Sequence, residues 1–240
     1  MKLLKTAALA GLLLAQSVGL MAQDVPSKTS LNWSIDLMSR HLWRGNNSGT
    51  APCIEPTLEL QSGKFTFGGW GAYAWDGSYE EVDLYIQYNT PLFKFSVYDF
   101  YCPNENYVDS KFMDFDSDKS VHLFDANIKY KGCEKFPVSI LASVIPYGEC
   151  DKDKDGDQRY STYFELGYST TIANKKVSWA VGGTPFEGMY ADGANIVNMN
   201  MTMYDELKIT DNFKLPVRGG LTLNPYTEKL FLTFGVTLTK

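Results

Sequence analysis

The sequence predicts an all-β protein, a single antiparallel transmembrane β-barrel of about twelve strands preceded by a cleavable signal peptide. Three observations predict this fold class. The chain begins like an exported protein, its later segments alternate apolar and polar residues with a period of two, and the links between those segments alternate between long and short.

Residues 1–22 have the features of a secretory signal peptide. Lys2 and Lys5 supply a positive start, an apolar run extends from Ala7 to Leu14, and cleavage is expected after Ala22. The apolar run is short for a membrane span, which disfavours the alternative of an N-terminal membrane anchor. We therefore expect a signal peptide at 1–22 and one barrel domain at 23–240.

The rest of the chain divides into extended segments with one apolar and one polar face. Near the start, Leu31, Trp33, Ile35 and Leu37 alternate with polar residues. Side chains alternate between the two faces of a strand, so this pattern predicts β-structure with one face toward lipid. The predicted strands are 30–43, 52–61, 64–75, 79–89, 92–101, 121–131, 136–145, 159–171, 176–183, 195–208, 214–223 and 229–239.

The links between these strands also follow a pattern. Tight links lie at 61–64, 89–91, 131–135, 173–175 and 210–213, and longer links lie at 44–51, 102–120, 146–158 and 184–194, with short exceptions at 76–78 and 224–228. Long external loops at one end and brief periplasmic turns at the other are typical of outer-membrane barrels. Aromatic residues near strand ends, such as Trp43 and Trp75 on the loop side and Tyr88 and Tyr130 on the turn side, predict two interfacial girdles.

The net charge of −6 is spread without a run of Lys or Arg, so the sequence offers no footprint for a nucleic-acid backbone. After residue 22 no apolar run is long enough for a transmembrane helix, and a chain that spans lipid without helices must close into a barrel. The expected partners are therefore outer-membrane lipid and small polar solutes.

Strand parity places charged side chains in the barrel lumen, because an Arg or Lys that faces lipid at the bilayer midplane costs about 2–4 kcal/mol. The predicted lumen-facing charged residues are Arg40, Arg44, Glu55, Glu59, Glu81, Asp83, Glu165 and Arg218. They form either a solvated pore lining or a network of Arg–carboxylate pairs that braces the wall, in which the first two arginines face Glu55 and Glu59. The parity of Asp99 and Asp125 is ambiguous.

One acidic segment resembles the front of an EF-hand loop. Its carboxylates are Asp151, Asp153, Asp155 and Asp157, followed by a position where an EF-hand has Glu and this chain has Thr162. Without that Glu and without flanking helices, a solvated external loop is the favoured interpretation, with Ca²⁺ binding as the alternative. A second acidic loop spans 109–118, and no other cofactor is predicted.

The sequence does not predict an enzyme. Its two histidines, His41 and His122, have no hydrolase or metalloprotease motif around them. The spacing of the four cysteines fits no CxxC motif, and it leaves open free thiols or a pair such as Cys102–Cys150. These cysteines are Cys53, Cys102, Cys133 and Cys150.

The segment Ser39–Gly45, with the sequence SRHLWRG, resembles the S-x-Y-x-(F/W)-R-G signature of the TorF-type porins, a family catalogued as conserved hypothetical proteins. The similarity continues in Phe67–Gly71 (FGGWG) and Glu81–Tyr88 (EVDLYIQY). His41 stands where the family tends to have Tyr, and Lys240 ends the chain where outer-membrane proteins often have an aromatic residue. The resemblance implies an outer-membrane barrel with a pore and brings no established substrate.

These observations lead to a first hypothesis and two alternatives. The first is an outer-membrane channel for small polar solutes with a charged lumen. The second is a non-conducting outer-membrane barrel whose long external loops bind a ligand or a partner protein. The third is a secreted soluble β-domain that binds carbohydrate through surface aromatic residues.

Overall fold

The structure is a computed structural model that describes residues 29–103, 110–116 and 119–239, so the predicted signal peptide lies outside the described residues. Its strands are β1 (Thr29–Met38), β2 (His41–Trp43), β3 (Asn46–Ser48), β4 (Cys53–Ser62), β5 (Phe65–Ala74), β6 (Glu80–Asn89), β7 (Phe93–Tyr101), β8 (His122–Tyr130), β9 (Val138–Gly148), β10 (Thr162–Ile172), β11 (Lys175–Thr184), β12 (Asn195–Lys208), β13 (Lys214–Asn224) and β14 (Lys229–Thr239). In this part of the chain, no helix is long and apolar enough to cross a membrane.

Within the described residues, β1 and β4–β14 form one closed antiparallel barrel, which confirms the predicted twelve-stranded fold class. Sequential strands pair with each other, and β1 closes the sheet by pairing with both β4 and β14. Thr29 lies opposite Ser62, and Val236 near the end of β14 lies opposite Val217 near the start of β13. Both ends of the described chain therefore lie at the end of the barrel that carries the short turns.

Outward-facing side chains form an apolar belt around this barrel. Each of its described strands contributes at least one exposed large apolar side chain, including Leu31 at 68% and Leu232 at 63% exposure. The alternation in the sequence thus places its apolar rows outside and its polar rows inside. An exterior of this kind is stable in lipid, because its apolar side chains are not exposed to water there.

Aromatic rings join the belt at the end with the short turns. Phe65 contacts Tyr88, with ring centroids 5.0 Å apart, and Phe93 contacts Tyr130 at 5.6 Å. At the other end Trp75 is exposed. Trp43 does not belong to the girdle predicted there, because its ring points inward and packs against Phe100 and Tyr190.

The first predicted strand is wrong at its second half. Barrel strand β1 ends at Met38, and after Ser39 the chain turns away from the wall. Residues 41–48 form a separate two-stranded sheet, β2 paired with β3, which we call the inserted hairpin. Its Trp43 packs against side chains of the barrel interior, so this residue keeps the spacing of the apolar row of β1 without facing lipid.

The four cysteines are free thiols in the structure. Cys53 is buried at the start of β4, whereas Cys133 is exposed in the link between β8 and β9. Of the two arrangements left open by the sequence, the structure has the one without a disulfide.

Candidate functional site

The candidate site lies in the barrel lumen, where the inserted hairpin reaches across from one wall to the other. Its two-residue turn consists of Arg44 and Gly45, which have φ angles of 50° and 79°. Positive φ at both turn positions is the geometry of a type I′ hairpin turn. A Cβ atom at Gly45 would lie 2.0 Å from the carbonyl oxygen of Val197 on β12, so only glycine fits there.

Arg44 anchors the hairpin tip to the opposite wall. Its Nη2 atom donates to Asp125 Oδ2 at 2.7 Å and to Asn127 Oδ1 at 3.1 Å, both on β8. The guanidinium carbon also lies 4.6 Å from the ring centroid of Trp43 and 4.8 Å from that of Tyr163. A charge this deep in the protein is stable because it has both an ionic partner and aromatic faces around it.

The loop between β11 and β12 completes this anchor. The hydroxyl of Tyr190 in that loop accepts a short hydrogen bond from Arg44 Nη1. Burial raises the pKa of Tyr190 to about 12, against the opposing effect of the Arg44 charge. The hydroxyl is therefore neutral at physiological pH, and the arginine keeps its charge balance with Asp125.

The predicted pairing of the first two arginines with Glu55 and Glu59 is not the one that the structure has. Arg40 donates to Oδ1 of Asn47 in the inserted hairpin at 2.9 Å, and Arg44 reaches β8. Glu55 instead lies 3.0 Å from His41 Nδ1. The reason is the early end of β1, which moves both arginines off the wall.

The remaining predicted carboxylates have mostly neutral donors. Glu59 accepts a hydrogen bond from the Tyr85 hydroxyl at 2.8 Å, and Glu165 accepts one from Tyr163 at 2.7 Å. Glu81 accepts a short hydrogen bond from Tyr79. Each of these carboxyl groups is thus held by a tyrosine hydroxyl and not by a basic side chain.

Arg218 braces a different part of the lumen. Its Nη2 atom lies 2.9 Å from Asp36 Oδ2 on β1 and 4.0 Å from Glu55 Oε2 on β4. Asp36 also accepts a short hydrogen bond from Thr237. The pair links β13 to β1 across β14, next to the place where the barrel closes.

Among the described residues, cavities lie on two sides of the inserted hairpin and near the short turns. The first, about 460 Å³, lies between the hairpin and the wall formed by β4–β8, and we call it the hairpin cavity. A second of about 560 Å³ lies near the short turns of β11–β14, and a third of about 250 Å³ lies between the hairpin and β12–β13. The lumen is thus partly filled by protein and keeps polar space on both sides of the hairpin.

The two residues of ambiguous parity have opposite orientations. Asp125 points into the lumen and pairs with Arg44, whereas Asp99 has the parity of the apolar belt. The outward carboxylate is not left in lipid, because it lies 2.7 Å from His122 Nδ1 under Phe112 and Phe115 of the following loop. Sequence parity alone could not show that a loop covers this position.

The EF-hand-like loop holds itself together with its own carboxylates. Asp151 is buried and accepts hydrogen bonds from Gln158 Nε2 at 2.7 Å and Ser161 N at 3.1 Å. Asp153 Oδ1 accepts from the backbone N–H groups of Asp155 and Asp157, each at 2.9 Å. In the described ranges no three metal-binding side chains form a cluster, and Ca²⁺ binding at this loop stays a prediction.

Sequence reasoning missed the partners of the inserted hairpin, namely Asn127, Tyr190 and Val197. One signal was available for the hairpin itself, since Arg44-Gly45 between polar and aromatic residues fits a two-residue turn. Its partners lie on other strands and loops, and no local pattern identifies them.

No protein-family model matches this chain, and no curated protein matches it either. Among solved structures, the KdgM porin is similar to it with a TM-score of 0.45 and 9% sequence identity, over 88% of this chain and 97% of that chain. The function proposed for this chain therefore rests on its own geometry.

Proposed function

We propose that this chain is an outer-membrane channel for small polar solutes, with a charged lumen narrowed by the inserted hairpin. The observation that carries the proposal is the division of the barrel into an apolar exterior and a polar interior with open cavities. A protein with a hydrocarbon-compatible outside and a hydrated inside provides a path for solutes that lipid excludes.

The hairpin cavity extends along the barrel wall in the direction of such a path. Its lining includes Phe100 and Lys94, which are six residues apart on β7. At about 3.3 Å per residue, they span roughly 20 Å of wall. Strands in barrels of this kind tilt by about 35–45°, so this stretch rises about 15 Å, more than half of an apolar layer that is about 25 Å tall.

Export and location are part of the same proposal. Residues 1–22 would direct the chain across the inner membrane, and residues 23–240 would form the barrel in the outer membrane. The resemblance of Ser39–Gly45 to the TorF-type signature supports this assignment, since that segment builds the inserted hairpin. The proposed activity is passage of solutes, not catalysis.

Planar-bilayer recording with the purified, refolded chain tests the proposal. We expect stepwise conductance that scales with salt concentration, and protein denatured before addition serves as the control. Folding is checked independently by a heat-dependent shift in gel mobility. Folded protein that inserts into vesicles but gives no conductance steps would refute the channel.

The inserted hairpin itself favours a second candidate, a non-conducting barrel whose external loops bind a ligand. It fills the lumen at the end that carries the long loops. A variant with residues 40–51 replaced by a short Gly/Ser link separates the two functions. If the hairpin only narrows a channel, this variant conducts more than wild type. If neither the variant nor the wild type conducts, the result supports the second candidate. The apolar belt argues against the third, soluble candidate, which would not require detergent.

A further inference from the structure

We propose that the hairpin cavity is a binding site for small organic cations, which makes quaternary and primary ammonium compounds the solute class of this chain. The inference rests on the proposed function for its biological role. It starts from one carboxylate, Asp83 on β6, whose surroundings do not satisfy it.

Asp83 is buried without a complete set of partners. The residue is 5% exposed and lines the hairpin cavity. Its Oδ1 atom accepts no hydrogen bond from any described residue, and the described ion pairs do not include it. A buried carboxylate oxygen is costly to leave unpaired, so this geometry favours a donor that enters from the cavity.

A second carboxylate lies beside it. Glu81 is the next inward-facing residue on the same strand and is buried as well. Its hydrogen-bond donors are neutral groups, the Tyr79 hydroxyl and the Cys102 thiol at 3.6 Å. Two carboxyl groups held together repel each other when both are ionised, and a positive charge placed between them removes that repulsion.

The described cations that line the cavity are placed elsewhere. Arg44 is bound to Asp125 at 2.7 Å. Lys94 and Lys129 lie opposite each other on β7 and β8. Lys94 lies six residues along β7 from Phe100, which is the residue opposite Asp83 in the ladder. That separation is roughly 20 Å of strand, far beyond the reach of an ion pair.

Aromatic rings flank the unsatisfied carboxylate on both sides. In the sheet, Asp83 lies opposite Trp70 of β5 and Phe100 of β7, and both line the cavity. Aromatic faces attract cations, and quaternary ammonium groups are recognised by such rings. The volume of about 460 Å³ suits an organic ligand. A bare metal ion fits less well, because the described side chains form no cluster of three metal ligands.

Choline is the probe for this site, and its neutral isostere 3,3-dimethylbutanol has the same shape without the charge. Binding is measured by calorimetry on the folded chain in detergent. We expect choline to bind at least about tenfold more tightly than the isostere, since one charge-assisted contact is worth at least that factor. Equal binding of the two compounds would overturn the proposal.

The variant Asp83→Asn keeps the shape of the side chain and cannot ionise to pair with a cation, so we expect about a tenfold loss of choline affinity. The matched control is Asp211→Asn, which removes one carboxylate from the exposed turn between β12 and β13. Trp70→Leu keeps the charge, removes a ring and should weaken choline more than the isostere. Unchanged choline affinity in the folded Asp83→Asn protein contradicts the site.

These measurements need no conduction. A chain that binds choline but does not conduct would refute the proposed channel alone. A chain that conducts but binds choline no better than the isostere would refute the cation site alone.

Discussion

Replacing Arg44 by Met should release the inserted hairpin from the barrel wall. The side chains of Arg44 and Asp125 are 8% and 2% exposed, and the atoms Nη2 and Oδ2 are 2.7 Å apart. Removing one partner of a buried ion pair leaves an uncompensated charge and costs about 3–5 kcal/mol. The lost contacts of the guanidinium with the rings of Trp43 and Tyr163 add about 0.5–2 kcal/mol each.

A double-mutant cycle separates the pair from its surroundings. The variants are Arg44→Met, Asp125→Asn and both together, and the free energy of unfolding is measured by urea titration in vesicles. Because the second substitution removes the charge that the first leaves unpaired, the double variant should be less destabilised than the sum of the two, by about 1–3 kcal/mol.

Conductance gives the second readout of the same cycle. We expect Arg44→Met to raise the single-channel conductance, since the hairpin tip no longer has its contact with β8. The control is Arg218→Met, which breaks the ion pair with Asp36 near the barrel closure and leaves the hairpin tip in place. Additive unfolding energies together with an unchanged conductance would refute an anchoring role for Arg44.

Three further predictions follow from the fold. Gly45→Ala places a methyl group against β12 at a positive φ and should destabilise the barrel by more than about 1 kcal/mol in the same urea titration, with Gly77→Ala, which has open space, as the clash-free comparison. Leu232→Arg puts a charge in the middle of the apolar belt and should cost about 2–4 kcal/mol, whereas Leu232→Met should be close to wild type. A hydrogen bond from the Tyr130 hydroxyl lowers the pKa of the exposed Cys133, so at neutral pH this thiol should react with a water-soluble maleimide before the buried Cys53, and a reversed order measured by peptide mapping would contradict the placement of the β8–β9 link.

The sequence predicted the barrel wall well because the wall depends on local pattern. In β14, the residues Leu230, Leu232 and Phe234 face outward as their spacing predicts, since a period of two follows from strand geometry alone. The link lengths predicted which end carries the loops, and the antiparallel neighbours follow from chain order. No distant contact had to be known for either prediction.

The interior was less predictable, because its contacts join distant parts of the chain. Trp43 keeps the odd-numbered spacing of the apolar residues of β1, and that pattern does not distinguish a strand in the wall from a hairpin inside the lumen. Arg44 and Asp125 are 81 residues apart, and only the closed barrel brings them together. The position of Asp99 on the outer face was unpredictable for the same reason, because the residues that shield it from lipid come from a loop distant in sequence.

Spin labels placed singly from Lys229 to Leu238 on β14 test the central claim most directly, in a cysteine-free background refolded into vesicles. A transmembrane barrel with a hydrated lumen predicts that oxygen, which concentrates in lipid, reaches Leu230, Leu232 and Phe234 most easily. A water-soluble nickel chelate should reach those outward positions least. Oxygen accessibility without a period of two, or ready access of the chelate to Leu232, would contradict the apolar belt and the channel built on it.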